Sequence, residues 1–264
     1  MRALWAFLVA ACLPTAGMAG TDVRLAGFGT FADGRLTTDI DGFRALAADL
    51  GFLLASRVTG PAHTTGPLGF DIGLETTVGN IDEGASRWQK ALDEPPSALV
   101  TVGLAVRKGL PYGLELGGHA LQIAGSSQWG LGMDLRYAFV EGFRWVPDIA
   151  LRAGIGTLVG SRDLSLLATD SELTLSKDFG IGGAVALTPY VSGGVLFVRA
   201  TSYVVGLFPE DAADPVKFVF PPQNLVRGTG AFGLLVTAVH VRVGFETRLG
   251  ASYQGFTFRL AGVF

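Results

Sequence analysis

Tyr253-Gln254-Gly255-Phe256-Thr257-Phe258-Arg259-Leu260-Ala261-Gly262-Val263-Phe264 alternates in steps of two. Phe256, Phe258, Leu260 and Phe264 share one face, with Gln254 at its start and a gap at Gly262. Gly255, Thr257, Arg259, Ala261 and Val263 share the other. This is the period of a β-strand, whose successive side chains point to opposite faces. As the edge of a soluble sandwich, such an apolar strand would invite aggregation. In a closed membrane barrel the apolar face meets lipid and a neighbouring strand covers the edge. The rest of the chain decides between the two.

Upstream, the same beat recurs at 68–78, 98–107, 112–124, 129–140, 148–159, 164–176, 183–199, 225–237 and 239–249. The cleanest case is 129–140. There Trp129, Leu131, Met133, Leu135, Tyr137 and Phe139 take one face, and Asp134 and Arg136 the other. With the terminal stretch this makes ten strands, an even number that puts both barrel ends on one side. Counts of eight or twelve are the alternatives. The connections after the second, fourth, sixth and eighth strands are short, whereas 79–97 and 201–224 are long and acidic. The expected fold is all-β, a transmembrane antiparallel up-and-down barrel over 68–264. Tyr112, Trp129, Phe139, Trp145, Phe197 and Phe258 are candidates for interfacial aromatic girdles.

Composition agrees. The chain is 49% hydrophobic, yet its longest unbroken apolar run, 3–13, is far shorter than the roughly 20 residues of a spanning helix. Its 38 glycines are about twice the usual share, which suits tight turns, bends and a crowded lumen. The net charge of −3 and the absence of a basic tract exclude a nucleic-acid partner.

The N-terminus has the layout of a secretory signal over 1–19: Arg2, the apolar run 3–13, and the small-residue site Gly17-Met18-Ala19. Val9-Ala10-Ala11-Cys12 is the competing lipoprotein-type site. If cleavage follows Ala19, the mature chain has no cysteine, hence no disulfide and no thiolate metal site. Residues 20–67 form a separate periplasmic or lumenal segment. Phe43, Leu46, Ala47 and Leu50 recur with helical spacing behind Asp39 or Asp41 as cap, which predicts a helix over 39–56. The alternative is two further strands.

Apolar residues at alternate positions ending on a terminal aromatic resemble the C-terminal signature of bacterial outer-membrane β-barrels, carried here by Phe256, Phe258, Leu260 and Phe264. Alternating loop lengths resemble the same family. The resemblance covers the chain from about residue 68 and concerns architecture. It implies an outer-membrane location, assembly by the barrel machinery with periplasmic chaperones, and contact with outer-membrane lipid and lipopolysaccharide.

Chemistry must then come from inward positions. Acidic candidates are Asp71, Glu75, Glu115, Asp134, Glu172 and Glu246; basic ones are Arg107, Arg136, Arg152, Arg227, Arg242, Arg248 and Arg259, with His119 among them. Charges in a barrel wall must be paired or wet. They either fill a narrow lumen with ion pairs or line a small pore whose mixed charge tunes selectivity. The expected function is a narrow channel or facilitator for small solutes; the alternative is a non-conducting structural or adhesive barrel acting through its loops, and behind both stands a surface hydrolase. The last needs His beside Asp or Ser at the surface rim. Of the three histidines, His63 lies in the irregular N-terminal part, His119 is mid-strand, and His240 is beside a turn on the opposite side. Nothing marks a catalytic site, a cofactor or a metal, so a non-enzymatic barrel is expected.

Overall fold

A computed structural model describes residues 22–55, 60–208, 215–251 and 253–264. The expected signal over 1–19, with Cys12, lies outside the described residues. Ten antiparallel strands form the barrel: β1 (Phe70–Asn80), β2 (Ala98–Leu110), β3 (Leu114–Ile123), β4 (Trp129–Val140), β5 (Asp148–Val159), β6 (Leu164–Ser176), β7 (Val185–Ser202), β8 (Gln223–Ala238), β9 (Val241–Leu249) and β10 (Gln254–Val263). Each pairs with its neighbour in sequence, and β10 returns to β1 along Gln254↔Asn80 to Val263↔Asp71. Phe70 and Phe264 exchange backbone hydrogen bonds of 2.9 and 2.8 Å at the seam. No edge is left to be satisfied by lipid. The three-residue strand Phe179–Ile181 only extends the hairpin leading into β7. The count is therefore ten, not eight or twelve.

The strands run from 9 residues in β9 to 18 in β7, enough to span a bilayer core of about 30 Å when tilted. No helix among the described residues is long and apolar enough to cross a membrane. Outward positions carry an apolar belt that includes Leu104, Met133, Leu151, Val191, Phe245 and Phe256, each about half exposed in the isolated molecule. So large an exposed apolar surface is a surface for lipid. Tyr112 and Trp145 stand at the short-turn rim and are almost fully exposed. Phe258, expected in a girdle, instead sits mid-strand opposite Thr76.

The N-terminal part differs most from a bare barrel. Two short strands, Gly29–Ala32 and Arg35–Thr38, pair only with each other and stay outside the barrel wall. Helix α1 (Ile40–Ala55) follows and lies inside the lumen. Asp39 caps it: its Oδ1 accepts from the Gly42 N–H at 2.8 Å, and its carbonyl from the Phe43 N–H at 3.1 Å. From Leu46 to Ala55 every residue is buried, which requires walls on all sides. The wall is apolar there, with Leu121, Leu166, Leu196, Val198 and Leu225 in one cluster with the helix.

The long connections fold over this mouth. Residues 81–97 contain helix α2 (Ser86–Ala91), whose Trp88 is fully buried. The other long connection contains a small hairpin, Val205–Leu207 with Val216–Phe218. Beyond it Phe220 stacks on Phe43 at 4.7 Å, and Phe52 stacks on Tyr253 of the β9–β10 loop at 5.4 Å.

Lys90 of α2 donates to Asp39 Oδ2 at 2.6 Å, fastening the helix start to the loop. The Lys90 bond first, and the Gly42 N–H second, hold the Asp39 carboxyl below the usual carboxylate range. A depressed carboxylate contributes stability above its unfolded value of about 3.9, lost as pH falls through the folded value. The pair is partly exposed, so its charge term is small, and Asp39→Ala is expected to cost about 1 kcal/mol, mostly through the cap. Denaturant unfolding in detergent, followed by tryptophan fluorescence, should show this loss near neutrality and a smaller one below about pH 4.

Candidate functional site: the occupied lumen

The apolar half of the lumen lies under the long loops. The other half, toward the short turns, is polar. Cross-strand register builds it, because inward residues directly opposite one another meet. Glu115 on β3 faces Arg136 on β4, and the two bond at 2.8 Å. Arg152 on β5 faces Glu172 on β6, 3.3 Å away, and reaches Asp170 at 2.6 Å. Arg136 and Arg152 are themselves opposite. Their like charges are separated because Arg136 leans to Glu115 while Arg152 leans to Asp170 and Glu172.

Arg107 bridges Glu115 and Asp134 at 3.2 and 3.3 Å, and Asp134 continues to Arg152 at 3.4 Å. Arg248 on β9 then pairs with Glu172 across the barrel, two strands lying between them, and with Glu246 at 3.2 Å. Tyr190 donates its hydroxyl to Glu246 at 2.9 Å. A second group joins Asp71 and Glu75 of β1 to Arg259 of β10, with Arg242 of β9 at 3.3 Å from Asp71. Arg107, Glu115, Arg136, Arg152, Glu172 and Arg248 are all buried. Charges this far from water persist only when paired on several sides.

Most of the lumen-facing candidates thus belong to a paired network of two groups. Asp170 is also part of it, and is an inward acid that the sequence did not single out. Arg227 is not part of it: it has the inward register but sits toward the loop end, where its guanidinium donates to the neighbouring Val226 carbonyl at 3.0 Å. His119 faces the lumen in a small space shared with Glu75, Thr77 and Thr101. A second cavity, about 20 Å³ and room for about one water, lies between Pro61, Arg107, Arg136 and Arg259.

A strap over 60–69 leads into β1 and closes the short-turn mouth. It is zipped to the inner wall. The Ala62 N–H donates to Ser176 Oγ at 2.9 Å, the Thr64 N–H to Glu141 at 3.0 Å, and the Thr65 N–H to Glu115 at 3.0 Å. Residues 22–38 lie at the opposite mouth. There Asp22 accepts from the Ser127 N–H at 2.7 Å and Asp163 from the Leu25 N–H at 2.7 Å. The chain before β1 therefore has one end at each mouth, with α1 in the lumen between.

A closed ten-stranded antiparallel wall, an apolar outward belt and paired charges on the inward face settle the architecture. It is that of a bacterial outer-membrane β-barrel. No family model matches the chain, and no curated protein matches its sequence. Solved structures similar to it include the attachment invasion locus protein Ail of Yersinia pestis, at 11% identity and TM-score 0.28 over 75% of this chain and 99% of that one. The KdgM porin matches at 8% identity and TM-score 0.33, covering 72% and 98%. The translocator domain of autotransporter NalP from Neisseria meningitidis matches at 10% identity and TM-score 0.35, covering 85% and 96%. Likeness this loose carries no weight about function.

On the outward face of β10, Phe256 and Phe258 are about half exposed and Phe264 two-thirds exposed. The inward face of the same strand supplies Arg259 to the network.

Proposed function

We propose that the protein is an outer-membrane barrel sealed by its own N-terminal helix, acting without catalysis through the surface at its long-loop end. The observation that carries this is the occupied lumen. Helix α1 fills the apolar half, and the ion network and strap fill the polar half. The narrow-channel function expected from alternation would require α1 to withdraw from a cluster of buried leucines and phenylalanines. Each such side chain contributes roughly 1.5–3 kcal/mol on burial. The ordered cap over the mouth, built from α2, the 205–218 hairpin and residues 22–38, is the working face. Lipid and lipopolysaccharide are the partners of the apolar belt, and the assembly machinery that of β10.

The orientation is testable. Epitope tags placed in the exposed turn at Asp33-Gly34 and in the turn at Gly182-Gly183 mark opposite mouths. In intact Gram-negative cells, antibody should label the first tag and reach the second only after the outer membrane is opened. Labelling in the reverse order would place the long loops inside and remove the surface role.

A further inference from the structure

We propose that His63, Asp148 and Asp178 form a binding site for a divalent transition-metal ion, zinc(II) above calcium or magnesium, at the short-turn mouth. The three residues come from segments remote in sequence: the strap, the first residue of β5, and the turn after β6. One ligand atom from each lies within 4.8 Å of the others. His63 Nδ1 is 3.5 Å from Asp178 Oδ1 and 3.8 Å from Asp148 Oδ2. Both separations exceed an ordinary N–H···O bond of about 2.7–3.2 Å. Nδ1 is shielded from solvent and has no hydrogen-bond partner.

These separations suit a shared ion. Tetrahedral ligands at about 2.0–2.2 Å from zinc lie roughly 3.3–3.6 Å apart. A slight inward movement of the three side chains meets that geometry. The carboxylates are already oriented, as outer-shell bonds orient ligands. Asp148 Oδ1 accepts from the Gly142 N–H at 2.9 Å, and Asp178 Oδ1 from the Thr188 hydroxyl at 2.5 Å. The neighbouring cation, Lys177, donates to the carbonyls of Phe143 and Val146 at 2.6 and 2.8 Å and makes no direct bond to either carboxylate. One imidazole with two carboxylates selects zinc-like ions over the all-oxygen preference of calcium and magnesium. Asp178 is half exposed, which leaves a path for the ion and a position for water. Bound there, the ion would staple the strap to the rim, and with it the lower end of the lumen segment. The site depends on the fold alone, not on the surface role.

The test uses the tag-free full chain, folded in detergent, stripped with a chelator and titrated calorimetrically with zinc chloride, then with calcium and magnesium chloride. One zinc per chain is expected, with calcium and magnesium at least about tenfold weaker. His63→Ala and Asp178→Asn should each weaken zinc binding by about tenfold or more. His240→Ala should bind as the parent does. Heat-modifiability on gels confirms that each variant is folded, and Asp178→Asn, at a half-exposed position, serves if His63→Ala misfolds. No stoichiometric zinc binding by the folded parent would overturn the site. So would zinc binding that survives both substitutions unchanged.

Discussion

Arg152→Ala is expected to destabilise the barrel by about 3–5 kcal/mol, the largest effect of any single truncation in the lumen. Arg152 is wholly buried and holds Asp134, Asp170 and Glu172 within 2.6–3.4 Å. Removing it leaves three carboxylates crowded in a buried site, and the cost is the repulsion and desolvation they then bear rather than the lost bonds alone. Arg227→Ala is the matched control. Its guanidinium reaches only the Val226 carbonyl at an exposed position, so its cost should stay within about 0.5 kcal/mol. Urea unfolding of both variants in lipid vesicles separates them. Equal costs would mean that the network does not bear on stability.

The second large effect concerns the helix. Leu50 is 1% exposed at the centre of the apolar half, among leucines and phenylalanines. Leu50→Asp buries a carboxylate without a built partner, at a cost of several kcal/mol unless the helix leaves. Leaving is the cheaper outcome, because the wall is held by its own closed ladder of backbone bonds. Trypsin should then cut faster at Arg44, whose side chain is exposed in the parent but whose backbone is held in the helical turn of α1, while the barrel stays folded and heat-modifiable on gels. An unchanged cleavage rate at Arg44 would show that the helix is not held by this packing.

The wall was legible in the sequence for a simple reason. Where one face meets lipid and the other meets charge, alternation is strong, and 129–140, 148–159 and 164–176 match β4, β5 and β6 at both ends. The charged half of the lumen was legible on the same ground, since Glu115, Asp134, Arg136 and Arg152 stand out against apolar neighbours. Where the lumen turns apolar the contrast fades. Leu164 and Leu166 point inward while Leu167 points outward, so β6 has no clear faces in the sequence and Asp170 does not stand out there.

Helix α1 was legible as a helix from Phe43, Leu46, Ala47 and Leu50, but not as a filling. A stripe of apolar residues says which face is buried, and only the barrel around it explains why Ala48, Phe52, Leu53 and Leu54 are buried too. The loops are polar and acidic in composition, yet Trp88 and Phe220 turn inward to cap the helix, contacts that no local period encodes. The cluster of His63 with Asp148 and Asp178 is of the same kind. It exists only because the strap is folded back against the rim, at the mouth opposite to the one where a surface hydrolase would need its histidine.

The most direct test of the sealed lumen is electrical. The folded full chain, shown to be heat-modifiable, is inserted into planar bilayers in concentrated potassium chloride and held across a range of voltages. The occupied lumen predicts a silent membrane, with no stable unitary steps at any holding potential. Reproducible ohmic steps from the intact chain would contradict it, because current would then pass where α1 and the ion network now stand.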